Sequence, residues 1–313
     1  MLSRTADSLY WLGRYIERAG NNARGLQVAL RMASLTRDVA QRDSAWRALL
    51  IASGCEPGFR ETGQEATQET VVRYLAADPS NSSSIISCIE AARRNGRQVR
   101  TALTVDMWEA VNETWSEARR STEQTFATDN LPAFLDWVKS RTVLFNGAYA
   151  DTMLRDEAWR FVRLGTMLER ADNTARVLDV HHHALGGTEE DGAVGYLQWQ
   201  AILRSVSALR AYHWVYHSRL ESRRIAELLI LRPELPRSMV ACYGRIEETL
   251  DGIAASHGGR KGECHRLAGE MHARLRFGRI ADIMAGGLHD FLTATIDRNL
   301  ELGRQIQDFY LQA

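Results

Sequence analysis

The sequence predicts an all-α protein, a helical bundle built from two duplicated halves related by a pseudo-twofold. Three observations carry that expectation. Only five prolines occur in 313 residues (Pro57, Pro79, Pro132, Pro233 and Pro236), which leaves room for long helices. Apolar residues recur at helical spacing, and no alternating strand pattern of useful length interrupts them. A 17-residue motif, Leu12–Val28, returns as Leu164–Val180 at an offset of 152, with ten of its 17 positions identical.

The elements follow in order. The first helix is expected from about Ser3 to Ala33, with Ser3 or Asp7 as its cap. A second covers about Asp43–Ser53 and closes at Gly54. Cys55–Gly63, containing Pro57 and Gly58, reads as a loop, and a helix over about Glu65–Ala77 comes next. Asp78-Pro79 stops that helix and Ser84 caps a new one. Helices are expected over about Ser84–Asn95 and Gln98–Glu117, with Asn95-Gly96 a break or a bend. Leu131-Pro132 opens a helix to about Ala150.

The second copy begins near Asp151, so the domains are expected at residues 1–150 and 151–313. Its motif helix runs to about Ala184 and stops at Gly186-Gly187. The acidic stretch Thr188–Gly192 separates it from one long helix, about Val194–Leu220. Helices around Ile225–Leu231 and Arg237–Ala254 follow, then a loop at Ser256–Gly262 and a helix over about Glu263–Phe277. A last helix runs from Leu288 to Leu311 after Gly286-Gly287. The echo between halves extends beyond the motif. Trp46 answers Trp199 at an offset of 153, and Pro79, Ser84 and Cys88 answer Pro233, Ser238 and Cys242 at 154. A unit of half the chain is far longer than the repeats of solenoids, so this is a tandem duplication rather than an array.

At about 100° per residue, Gly13, Glu17, Asn21 and Arg24 fall within an arc of roughly 80°, as do Gly165, Glu169, Asn173 and Arg176. The apolar Leu12, Ile16, Ala19, Ala23 and Leu26 gather on a different face. Each motif helix therefore has a packing face and a polar stripe that the two copies share. Two readings of the stripe stand side by side. In one, Glu17 and Arg24 form ion pairs with neighbouring helices and Gly13 permits close contact. In the other, both stripes face a shared cleft, where Arg binds a carboxylate or phosphate and Glu an amine or metal.

Composition narrows the classes. Lys+Arg and Asp+Glu both total 39, so no global basic field invites nucleic acid or anionic lipid. No run approaches the roughly 20 apolar residues of a membrane helix, and Arg4, Asp7, Arg14 and Glu17 interrupt any apolar signal core. The four cysteines, Cys55, Cys88, Cys242 and Cys264, form no Cys-x-x-Cys, which points to a reduced, cytoplasmic compartment. Cys88 and Cys242 read as small core residues.

Other constellations carry less. Consecutive His181, His182 and His183 splay around a helix and cannot all face one metal. His213, His217 and Glu221 have helical metal-site spacing, although an aromatic packing face explains Tyr212–His217 as well. No histidine has glutamate three residues before it, which argues against a ferritin-like di-metal centre. His-Glu-x-x-His, Gly-x-Ser-x-Gly and a Walker loop are all absent from the sequence. Gly258–Gly262 reads as a turn, and His289-Asp290 as a capped helix start or a proton-transfer pair. No metal and no cofactor are expected.

Leu9–Ala19 with Asn21, the stretch Asp151–Phe161 and the Arg232–Ser238 turn resemble the alpha-E family, an all-helical bacterial family named for its Glu-Arg motif and usually found as a tandem duplication. The resemblance covers essentially the whole chain. It implies that Glu17-Arg18 and Glu169-Arg170 are the two signature pairs. The chain departs from the family pattern at Gly20, where an acidic residue is usual, while the second copy keeps Asp172. Family members are encoded beside circularly permuted ATP-grasp proteins and transglutaminase-like peptidases, which implies a system that makes or modifies peptides. The expectation is a non-catalytic partner of an ATP-grasp ligase that holds a peptide or amino-acid ligand at Glu17, Arg18, Asn21, Arg24, Glu169, Arg170, Asn173 and Arg176. One alternative is an enzyme of the same pathway with Glu17 or Glu169 as general base. The other is a structural scaffold whose Glu-Arg pairs hold the bundle together.

Overall fold

The computed structural model describes residues 1–35, 39–184 and 193–312, without the side chains of 35, 39–41, 181–184 and 193–194. The first part of the chain forms α1 (Ser3–Leu35), α2 (Val39–Ala52), α3 (Glu56–Glu61), α4 (Gln68–Ala76), α5 (Ile85–Gln98), α6 (Val105–Ala118), α7 (Glu123–Phe126) and α8 (Leu131–Thr152). The remainder forms α9 (Glu157–Ala184), α10 (Ala193–Ser205), α11 (Leu209–Tyr216), α12 (Ser222–Leu231), α13 (Met239–Ser256), α14 (Glu263–Arg276), α15 (Ile280–Ala285) and α16 (Leu288–Ile306). Among the described residues there is no strand, so the fold is an all-α bundle.

The two motif helices form its spine. α1 and α9 lie side by side and run in the same direction, because their contacts climb both helices together. A Cβ on Gly165 would stand 2.0 Å from the Tyr10 carbonyl oxygen, and one on Gly13 would stand 2.3 Å from that of Val162. Each glycine thus lets the backbones touch at a distance no side chain permits. Leu9, Tyr10, Leu12 and Ile16 of α1 share one core with Phe161, Val162, Leu164 and Leu168 of α9. A second core surrounds the later part of α1, where Ala19, Ala23 and Leu26 meet Trp46, Leu75, Ile85 and Leu135.

Matching helices flank the spine. α5 and α8 pack on α1, as α13 and α16 pack on α9. Ser84 caps α5 by accepting from the Ser87 amide, and Ser238 caps α13 by accepting from the Ala241 amide. The Cys88 and Cys242 thiols lie 3.9 Å from the Ser82 and Pro236 carbonyl oxygens respectively. Trp46 and Trp199 are both fully buried. All four cysteines are free and buried, and burial pushes the Cys88 thiol up to about 12 and that of Cys242 to about 11. Such thiols pack as apolar groups rather than react.

The structure corrects several boundaries. The Cys55–Gly63 loop contains the short α3, with Pro57 in its first turn. The chain does not break at Asn95-Gly96. Asn95 bonds back to the Ala91 carbonyl at 2.9 Å inside α5, and the break falls at 99–104, where Thr104 caps α6. The single long helix over Val194–Leu220 is two helices. Ser207 takes a left-handed φ of 58° between α10 and α11, and His217 ends α11 with a φ of 49°. The last α-helix stops at Ile306 and continues as one π turn, Gln307–Leu311. The Gly186-Gly187 stop, the acidic Thr188–Gly192 stretch and the side chains of His181–His183 lie outside the described residues. Among the described residues, no helix is long and apolar enough to cross a membrane.

A Gly13→Ala or Gly165→Ala substitution must separate the two spine helices, and each is expected to cost about 1–3 kcal/mol or more in urea unfolding. Gly147→Ala, an exposed position on α8 with open space around it, is expected to gain about 0.5–1 kcal/mol.

Candidate functional site

One helical turn beyond the glycine contact, α1 and α9 exchange ion pairs. The Glu17 carboxylate accepts from Arg170 on α9, Nε to Oε1 at 3.2 Å and Nη2 to Oε2 at 2.9 Å. The Glu169 carboxylate accepts from Arg18 on α1, Nε to Oε1 at 2.6 Å and Nη2 to Oε2 at 2.9 Å. Both are bidentate, the geometry in which arginine binds carboxylate best. Each glutamate is therefore held by the arginine that follows the other glutamate in sequence.

A second guanidinium completes each site from a different place. Arg237, in the turn before α13, reaches Glu17 Oε1 at 2.8 Å. Arg14, on α1 itself, reaches Glu169 Oε2 at 2.9 Å and donates to the Tyr10 hydroxyl at 3.2 Å. The backbone supports also correspond. Asn22 donates to the Ser83 carbonyl at 2.7 Å, and Thr174, 152 residues later, donates to the Arg237 carbonyl at 2.9 Å. The stripes thus pin the turns before α5 and α13 to the spine.

Both carboxylates are buried, Glu17 3% and Glu169 7% exposed. Burial alone would raise their proton affinity, but two guanidiniums on each outweigh it. Glu169 is brought down from 4.5 to about 2 by Arg18 and Arg14, and Glu17 falls lower still beside Arg170 and Arg237. The Glu-Arg pairs at the centre of the two stripes are therefore turned into one another, and every oxygen of the two carboxylates is engaged.

The remaining predicted residues diverge between the copies. Arg176 pairs with Asp172 at 2.7 Å on the next turn. At the matching position of α1 stands Gly20, and among the described residues Arg24 makes no hydrogen bond or ion pair. Asn21 is buried and accepts from Arg237 at 3.3 Å, while its Nδ2 has no partner among the described residues. Asn173 is half-buried and bonds to neither glutamate. Arg14 and Arg237 were missed as site residues. Arg14 sits where the copies differ, so the repeat hides it. Arg237 lies 67 residues beyond Arg170 in sequence, and only its place in the proline turn signals it.

Two histidine readings change with the geometry. His213 and His217 do not stack along one helix, because His217 ends α11 in a left-handed turn and Glu221 precedes α12. His289 Nδ1 meets Asp179 on α9 at 2.6 Å rather than acting with Asp290 as an isolated pair. Among the described residues, no three His, Cys, Asp or Glu side chains converge as a metal cluster.

The fold and site together define an all-α protein organised around interlocked, buried Glu-Arg motifs. Comparison with known proteins agrees: residues 1–311 match Alpha-E, described as a predicted alpha-helical domain with a conserved ER motif, and the chain belongs to this family. It is also similar to uncharacterized proteins of Mycobacterium bovis and of two Mycobacterium tuberculosis strains, at 22% identity over 87% of this chain and 32% of each relative. The chain spans about a third of the length of these curated relatives. No solved structure matches it.

Replacing either glutamate leaves two half-buried guanidiniums without their carboxylate. Glu17→Gln and Glu169→Gln are each expected to cost about 3–5 kcal/mol in chemical denaturation, read as a fall of several degrees in Tm. The acid response has a definite sign. A carboxylate whose folded pKa lies below its unfolded value stabilises fully above the unfolded value and loses that contribution as pH falls through the folded one. For Glu169 the window runs from 4.5 down to about 2. Glu169→Gln is expected to flatten the decline in stability across that window, measured by denaturant midpoints.

Proposed function

We propose that the protein is a non-catalytic helical scaffold whose two halves, residues 1–150 and 151–313, arose by tandem duplication, are related by a pseudo-twofold, and are latched together by their Glu-Arg motifs. The reciprocal bidentate pairing carries this reading. Three further correspondences support it: the mutual glycine contacts, the caps at Ser84 and Ser238, and the buried Trp46 and Trp199. Each relates positions 152–154 residues apart.

The same geometry weighs against the general-base reading. A catalytic base works best with a pKa near the operating pH. Glu169 is held at about 2 and Glu17 below it, with their oxygens already occupied by guanidinium groups. The latch leaves the outer faces of the bundle available for partners. The proposed setting is a bacterial peptide synthesis or modification system in the cytoplasm. There the scaffold docks a circularly permuted ATP-grasp ligase. The relatives support a modular role, since about two thirds of each lies outside the region this chain covers.

Co-purification with a circularly permuted ATP-grasp ligase from the same organism tests the role. Association at micromolar concentration, with no turnover of peptide by the helical protein alone, is the expected result. Failure to associate at that concentration contradicts the partnership, and turnover by the isolated protein contradicts the scaffold reading.

A further inference from the structure

The two motif helices differ at several charged positions, and one of these differences, Gly20 against Asp172, opens onto a cleft. On α9, Asp172 neutralises Arg176. On α1, the equivalent of Asp172 is Gly20, whose missing side chain would lie 3.0 Å from Arg24 Nη1. Arg24 is left with no hydrogen bond or ion pair among the described residues. Burial, then the nearby Arg237 and Arg170, bring its proton affinity down to about 10 despite the attraction of Glu17. Among the described residues no carboxylate is in direct contact with it.

Arg24 lines a cleft of about 730 Å³ between the later part of α1, α8 and α10. Among the described residues its wall also carries Arg31, Lys139 and Arg204 against a single carboxylate, Asp136. Lys139 is bound to Asp136 at 2.9 Å and to Gln27 at 2.7 Å, so that pair is internally neutral. Three guanidiniums remain, and none of them makes an ion pair among the described residues. Val28, Val143 and Leu197 supply an apolar flank beside them. One turn before Arg24 on α1, the buried Asn21 Nδ2 finds no acceptor among the described residues. Guanidinium groups favour oxyanions that can accept two parallel bonds, and a cleft lined by charges of one sign concentrates ligands of the other.

We propose that the cleft between α1, α8 and α10 is a binding site for a small organic anion, whose carboxylate or phosphate group is held by Arg24 with Arg31 and Arg204 while its apolar body lies along Val28, Val143 and Leu197. The site exists in the first half only, because Asp172 silences the equivalent arginine in the second. It does not depend on the scaffold reading: the latch uses Glu17 and Glu169, and the cleft uses the arginine beyond them.

Titration calorimetry on the full chain at low salt tests the proposal with two probes, inorganic phosphate and N-acetyl-leucine. At least one is expected to bind at a single site with a Kd of about 1 mM or tighter. Binding of phosphate alone identifies a phosphate site. Binding of N-acetyl-leucine alone identifies a carboxylate site that uses the apolar flank, and binding of both identifies a general oxyanion site. Arg24→Gln is expected to weaken the bound probe about tenfold or more. Gly20→Asp, which supplies the carboxylate that Asp172 supplies in the other half, is expected to abolish binding. Arg266→Gln, an exposed arginine on α14, removes the same charge and is expected to leave affinity within about twofold, since distant surface charges are screened. Absence of saturable binding by both probes, or equal affinity in the wild-type, Arg24→Gln and Gly20→Asp proteins, overturns the proposal.

Discussion

The bundle depends on an exchange of charge across one helix contact. Glu17 and Glu169 are buried, and each is compensated by the arginine of the opposite motif. Neither motif can satisfy itself. The arginine that follows each glutamate in sequence points about 100° away from it around the helix, and so finds its partner only on the neighbouring helix. The exchange requires α1 and α9 to approach closely and in register. Gly13 and Gly165 permit that approach, since their Cβ positions fall within 2.3 Å of the opposing carbonyl oxygens. Glycine, glutamate and arginine thus form one device: the glycines set the distance, and the ion pairs set the register.

Buried ion pairs are weak sources of net stability, because desolvation offsets much of the Coulombic gain. Their strength is in selecting one arrangement. A one-residue slip of α1 against α9 would leave two carboxylates and four guanidiniums mismatched in a region with little water. It would also drive a side chain into a backbone carbonyl. That penalty explains why a spine of two parallel helices carries polar groups at its centre. The second guanidinium at each site extends the selection outward. Arg237 ties the turn before α13 to Glu17, and the Ser83 turn before α5 is tied to α1 through Asn22 and Arg18.

Much of this was legible in the sequence. The all-α class followed from proline scarcity and helical periodicity, and α1, α8, α13 and α14 lie close to their expected ranges. The repeat singled out Gly13, Glu17 and Arg18 with their counterparts. Which arginine meets which glutamate was not legible, because periodicity describes one helix and not its neighbour. Arg14 stayed hidden because it has no counterpart in the second copy, where Thr166 stands. The break at Ser207 was hidden because a left-handed serine has no composition signal. The two readings of the stripe, ion pairs with neighbouring helices or a shared cleft, could not be separated from the pattern alone, and Glu17 and Glu169 take the first. A shared polar pattern is equally compatible with facing solvent and with facing its own copy.

The most direct measurement is a double-mutant cycle in urea between Arg18 and Glu169, residues 151 apart in sequence whose side chains meet at 2.6 Å. The account predicts a coupling energy of at least about 1.5 kcal/mol between Arg18→Gln and Glu169→Gln. A coupling below about 0.5 kcal/mol, the level of additive and independent sites, would contradict the reciprocal latch at the centre of the fold.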